Sequence, residues 1–119
     1  MIYRAIGLMS GSSLDGLDIA CVEFSEQAGK WSFEIMKTDC YSYTEEWVDR
    51  LKGAVDLSAR DYQLLHTDYG HYTGQLVNRF IEAHQLQYMI ALVTSHGHTS
   101  FHLPARQMTA QLGDGAAIA

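Results

Sequence analysis

The chain has 119 residues, enough for one domain with a real hydrophobic core and too few for two. Hydrophobic residues make up 47% and charged residues 18%, the balance of a globular chain rather than a disordered one. The formal net charge of −6 argues against binding nucleic acid or an anionic membrane through overall charge, and no apolar stretch approaches the roughly 20 residues of a membrane helix. The N-terminus carries Arg4 but no signal-peptide core with a small-residue cleavage site, so a cytoplasmic location is expected.

Residues 2–9 read as a β-strand, and a second strand-like run covers 17–25. Glu26-Gln27-Ala28-Gly29-Lys30 is a turn, after which Trp31, Phe33 and Ile35 alternate with polar residues in the period of a half-buried strand. The first three strands therefore form an antiparallel meander. Thr44 or Ser42 caps a short acidic-fronted helix that ends near Gly53. Ser58 with Asp61 is a weak capping box. Tyr62, Leu65, Tyr69, Tyr72, Leu76 and Phe80 then recur at helical steps to about His84. Tyr88–Thr94 is a continuous apolar run that suits a parallel strand buried on both faces. A loop holding Pro104 leads to the alternating strand Met108–Leu112, and Asp114 is placed to cap a helix starting at 115. One turn of helix buries no face, so the chain reads as the front part of a longer protein. The aromatic residues fall mostly on predicted apolar faces and read as core. Cys21 and Cys40 fit no metal or redox spacing and read as reduced, buried thiols.

Three short segments carry chemistry. Gly11-Ser12-Ser13-Leu14-Asp15-Gly16-Leu17-Asp18 joins the first two strands. It is no Walker loop, because no lysine follows the glycines and no helix opens there. Glycines and hydroxyls in such a hairpin can cradle a phosphate, and Asp15 or Asp18 can hold Mg²⁺ through water. The same residues also suit a plain tight turn, and composition alone leaves both readings open. Ser95-His96-Gly97-His98-Thr99 sits at the expected end of the buried strand, where α/β sheets bind ligands. Gln111-Leu112-Gly113-Asp114 could bind sugar hydroxyls, or Asp114 could serve only as a helix cap. His96, His98 and His102 lack the cysteine or nearby carboxylate that would complete a zinc set. His66 and His71 lie five apart on the long helix and read as surface or partly packed residues.

Together these segments resemble the anhydro-N-acetylmuramic acid kinase family. The matches are Ile6–Asp18, then Ser95–Thr99 with His102 and Pro104, then Gln111–Asp114. Ser12 stands where the family usually has Thr, and His98 where it usually has Gln. The resemblance implies an α/β fold: a ribonuclease-H-like or actin-like ATPase half-domain with a mixed sheet. In that fold the antiparallel meander is followed by helices and parallel strands. Residues 1–119 would be a truncated, partial N-terminal domain of a two-domain sugar kinase. It also implies ATP and Mg²⁺ as cofactors and a small amino sugar as substrate. The anhydro ring is opened by water and O6 is phosphorylated, in recycling of cell-wall material.

On that resemblance, Gly11, Ser12, Ser13, Leu14, Asp15, Gly16, Leu17 and Asp18 bind ATP. His96, Gly97, His98, Thr99, Gln111, Gly113 and Asp114 shape the sugar side. The general-base aspartate is expected beyond residue 119, so these residues alone are expected to be inactive. A homodimer is a further expectation. Two alternatives remain: another carbohydrate or acyl kinase of the same superfamily, and a non-catalytic interaction module.

Overall fold

Alternation along the first strand decides which side of the protein becomes its core. In β1 (Ile2–Ser10), Ile6, Leu8 and Ser10 point to one face and are buried, while Ala5, Gly7 and Met9 point to the other. β2 (Gly16–Gln27) pairs antiparallel to it with Ile6 opposite Cys21, Leu8 opposite Ile19 and Ser10 opposite Leu17. The buried residues of both strands thus share a face. β3 (Lys30–Ser42) completes the meander through a two-residue turn in which Ala28 and Gly29 have φ of 52° and 81°. The structure, a computed structural model, describes residues 1–11 and 13–119.

α1 (Glu45–Lys52) starts where expected: Thr44 Oγ1 accepts from the Trp47 N–H at 3.3 Å. α2 (Ala59–Ala83) is capped by Ser58, whose Oγ accepts from the Asp61 N–H at 3.1 Å. Its apolar stripe buries Leu65, Tyr69, Leu76 and Phe80 against the inner sheet face, with Tyr62 and Tyr72 half-buried at its margins. β4 (Leu92–Leu103) then runs parallel to β1, and β5 (Met108–Leu112) pairs antiparallel to β4. The sheet order is β3-β2-β1-β4-β5. α3 (Gly115–Ile118) closes against Gly70 and Gly74 of α2, where an added Cβ would stand 2.7 Å from the Asp114 carbonyl oxygen and 2.9 Å from that of Ile118. The chain is therefore α/β with a five-stranded mixed sheet.

Several expectations are corrected. The fourth strand begins at Leu92, not Tyr88. Gln85 and Tyr88 take left-handed φ of 57° and 63°, and the chain turns there while Leu86 anchors it in the core. That strand is also not buried on both faces: Leu92 is 57% exposed because helices cover only one side of the sheet. It continues through Ser95–Thr99, which is strand and not an exit loop, because β5 folds back to pair with it. Among the described strands after the meander, β4 alone runs parallel; a β4–β5 hairpin takes the place of a second parallel strand. Cys21 is buried, but Cys40 is exposed on the edge strand β3. Trp31 and Phe33 are not core residues either. They stand 63% and 70% exposed on the uncovered sheet face, where Tyr3 stacks on Trp31.

An apolar sheet face of this kind drives association. Light scattering is expected to show association that grows with concentration, reduced by Trp31→Lys combined with Phe33→Lys; a concentration-independent monomer would contradict this. Gly70→Ala is expected to cost about 1–3 kcal/mol by crowding α3, although Ala elsewhere in a helix gains about 1 kcal/mol over Gly. Gly53→Ala, with nothing within 4 Å of the added Cβ, should stay within about 0.5 kcal/mol. Urea unfolding midpoints read both, and an unchanged midpoint for Gly70→Ala would mean that α3 is not seated as described.

Candidate functional site

The C-terminal end of β1 lies beside the middle of β4, with Ser10 registered against His98. The β1–β2 hairpin rises from this end of the sheet, so two of the three predicted segments are neighbours although 88 residues separate Ser10 from His98. β5 brings the third: Leu112 pairs with His98, and Gln111 with Thr99.

Within the hairpin, Gly11, Ser13 and Asp15 are exposed and Leu14 is half-buried with φ of 58°. The Leu14 N–H donates to the Gly11 carbonyl at 3.4 Å. Ser12 lies outside the described residues. Gly16 is buried, and a Cβ there would stand 2.3 Å from the Tyr41 carbonyl oxygen. Its missing side chain lets β3 approach, a use distinct from ligand approach. Leu17 packs into the core. Asp18 faces the uncovered side beside Cys40, and its carboxylate pushes the Cys40 thiol pKa up.

The second and third segments divide between the faces. His96 lies on the uncovered face, and Gly97 takes φ of 78° with a Cβ position 2.5 Å from the Leu112 carbonyl oxygen. His98 points inward. Gln111 Nε2 donates to Thr99 Oγ1 at 3.3 Å and to Thr109 Oγ1 at 2.6 Å, tying its amide to its own hairpin. The Asp114 carbonyl caps α3 by accepting from the N–H groups of Ala117 and Ile118, while its carboxylate makes no capping bond. His66 holds this turn: its Nδ1 accepts from the Gly113 N–H at 2.9 Å and its carbonyl from the Asp114 N–H at 3.2 Å. His71 is exposed.

Beneath the hairpin runs a buried hydroxyl chain. Tyr69 and Tyr43 hydroxyls are 2.6 Å apart, the Tyr43 hydroxyl donates to Ser10 Oγ at 2.6 Å, and Ser10 Oγ lies 2.8 Å from His98 Nδ1. All four residues are buried. The Tyr43 hydroxyl spends its one hydrogen on Ser10, so Tyr69 donates to Tyr43. Between Ser10 Oγ and His98 Nδ1 the tautomer of the ring decides which atom donates. Burial lowers the His98 pKa below its ordinary value near 6.5 and keeps the ring neutral. Burial also pushes both tyrosine pKa values up, keeping them as phenols. Sequence reasoning gave no role to Ser10 or Tyr43 and assigned Tyr69 only to packing. Their one signal was the position of Ser10 immediately before Gly11.

A groove of about 870 Å³ opens on the uncovered sheet face. Gly7, Ala20 and Thr94 line it together with Asp18, Asp39, Cys40 and His96, so two of the predicted site residues, Asp18 and His96, belong to it. Among the described residues, no three His, Cys, Asp or Glu side chains converge to hold a metal ion.

The fold and site define an α/β chain whose glycine- and serine-bearing hairpin leaves the C-terminal end of β1, beside the parallel strand β4. A family model described as anhydro-N-acetylmuramic acid kinase matches residues 3–119. Proteins named anhydro-N-acetylmuramic acid kinase are similar along nearly the whole chain. The protein from Pseudoalteromonas translucida is 31% identical, covering 96% of this chain and 31% of its own length. The one from Paramagnetospirillum magneticum is 34% identical over 97% of this chain and 32% of its own length. The one from Brucella suis is 34% identical over 99% of this chain and 34% of its own length. The chain belongs to the anhydro-N-acetylmuramic acid kinase family, and it spans about a third of the length of these curated relatives.

The buried His98 makes stability pH-dependent in a defined direction. Its folded pKa is depressed, so the unfolded chain binds the proton more tightly. Its contribution is full above about pH 6.5 and is lost as pH falls through the folded value. Thermal melts should therefore fall more steeply on acidification in the unaltered chain than in His98→Gln; parallel curves would detach His98 from the transition.

Proposed function

We propose that this chain supplies the phosphate-binding hairpin of an ATP-dependent sugar kinase. The observation that carries the reading is the hairpin that leaves the C-terminal end of β1 beside His98 of the parallel β4, with Gly11, Ser13 and Asp15 exposed. We read the sheet order and the single parallel crossover as the half-domain of a ribonuclease-H-like, actin-like ATPase fold. Family membership supports a kinase and hence ATP as the phosphoryl donor.

In this reading, the exposed backbone at Gly11 and the Ser13 hydroxyl face the phosphate oxygens. Asp15 and Asp18 are exposed carboxylates that fit a hydrated Mg²⁺ held through water, the mode suited to a site without three converging ligands. When bound, the ion offsets charge on the phosphates. His96 and Thr99, exposed on β4, and the Gln111–Asp114 turn line the sugar side. Gly97 keeps β4 close to β5, and His98 acts from below.

For the whole kinase, the reaction is hydrolytic opening of 1,6-anhydro-N-acetylmuramic acid with phosphorylation of the freed O6. Water adds at the anomeric carbon, the bond to O6 breaks, and O6 takes the γ-phosphoryl group. The products are N-acetylmuramic acid 6-phosphate and ADP, a step that serves cell-wall recycling in the cytoplasm. The general base that activates water is not assigned to any residue of this chain.

Isothermal titration calorimetry with Mg·ATP tests the hairpin. A Cβ at position 11 meets only Ser13 Oγ, at 3.9 Å, so Gly11→Val blocks the approach of a ligand without crowding the fold. Binding to the unaltered chain should be weak and should drop at least about tenfold in Gly11→Val combined with Asp15→Asn, the loss of one or two charge-assisted contacts. Equal heats from both would place the phosphates elsewhere. No heat from the unaltered chain would count against the hairpin as a sufficient binding element.

A further inference from the structure

Tyr43 touches the hairpin on both sides. Its hydroxyl donates to Ser10 Oγ, on the residue that leads into the loop, at 2.6 Å. Its backbone N–H donates to the carbonyl of Asp15, on the residue that leads out, at 3.2 Å. Tyr43 itself belongs to neither strand of the hairpin. It lies between β3 and α1, one residue before the Thr44 cap, and its ring packs among Tyr69 and Tyr72.

We propose that Tyr43 is a positioning residue that straps the β1–β2 hairpin at both ends, through a buried hydroxyl chain anchored on Tyr69 and His98, and so sets the shape of the phosphate-binding loop. The proposal rests on the phosphate reading of the hairpin for its functional consequence, but not for the strap itself.

Tyr69, Tyr43, Ser10 and His98 are joined by three buried hydrogen bonds, ending on the Nδ1 of His98. Deleting any hydroxyl leaves a buried partner without its bond, which costs more than the bond itself contributes. The chain also joins three parts of the fold: α2 through Tyr69, the β3–α1 junction through Tyr43, and β4 through His98. All three converge on the last residue of β1. Among the described residues of the loop after it, the internal backbone bond, Leu14 N–H to the Gly11 carbonyl, is long at 3.4 Å, and Leu14 packs against the core. Its geometry therefore depends on how firmly Ser10 and Asp15 are held.

Hydrogen–deuterium exchange on the full chain tests this, with Tyr43→Phe as the probe. That variant keeps the ring and the backbone N–H and removes only the hydroxyl. Amides in residues 10–18 should exchange at least about tenfold faster, as expected for the loss of the bond to Ser10 and of the bond from Tyr69, with the α2 amides unchanged. Tyr72→Phe, which loses a hydroxyl outside the chain, should leave both unchanged. His98→Gln should keep the hairpin protected, because a side-chain amide carries both an acceptor and a donor for Ser10 Oγ, whereas His98→Leu should not.

Unchanged hairpin exchange in Tyr43→Phe would overturn the strap. So would an equal rise across α2, the mark of general destabilisation. Mg·ATP titration of the same variants separates the two readings. Faster hairpin exchange with no ATP binding by the unaltered chain would sustain the strap and sink the phosphate assignment. Faster exchange with ATP affinity reduced severalfold would sustain both.

Discussion

The fold depends on one long helix crossing a sheet that has helices on one side only. A parallel strand cannot follow its partner directly and needs a crossover. Here the crossover is α2, 25 residues and about 37 Å long, which returns the chain to the edge of β1. Its inward stripe covers the face that carries Ile6, Leu8, Ile19 and Cys21. That packing puts β4 beside β1 in parallel register, and the register puts His98 beside Ser10. The candidate site is therefore a consequence of how α2 packs.

Much of this was readable from the residues, because the signals were local. Strands β1 and β2, the Ala28-Gly29 turn, the Thr44 and Ser58 caps and the α2 stripe follow from periods of two or 3.6 and from small polar residues at fixed offsets. What sequence missed was non-local. Nothing in Tyr88–Ala91 announces left-handed turns in place of strand, since an apolar run suits either. Nothing in His98–Leu103 says that β4 continues, because that follows only when Met108–Leu112 folds back. Trp31 and Phe33 alternate as core strand residues do, and periodicity cannot tell which sheet face lacks a helical layer.

The site divides in the same way. The hairpin was visible as a density of glycine, serine and aspartate. Composition could not separate the roles of its glycines: Gly11 is open to solvent, while Gly16 exists to let the Tyr41 carbonyl approach. His66 read as a surface or partly packed histidine; it is half-buried, and its role stayed hidden because the residue it holds, Gly113, lies 47 positions away. His98 was grouped with the sugar-side loop by adjacency to His96. Alternation would put the two on one face; the register irregularity at Gly97 puts them on opposite faces, one on the open sheet surface and the other in the core.

Those opposite faces meet different demands. The inner face is finished: its described buried side-chain polar atoms all have partners, and the hydroxyl chain ends on a neutral histidine. The outer face exposes Tyr3, Trp31, Phe33, Ile35 and Leu92 along three strands, with a dip over Gly7 and Ala20. Apolar side chains at that density are costly in water and gain from cover. The hairpin stands at the boundary between the two faces. Leu17 and Ser10 root it in the finished side, while Asp18 looks onto the open one. A loop rooted in this way takes the positions of its two ends from the core, through Ser10 and Leu17.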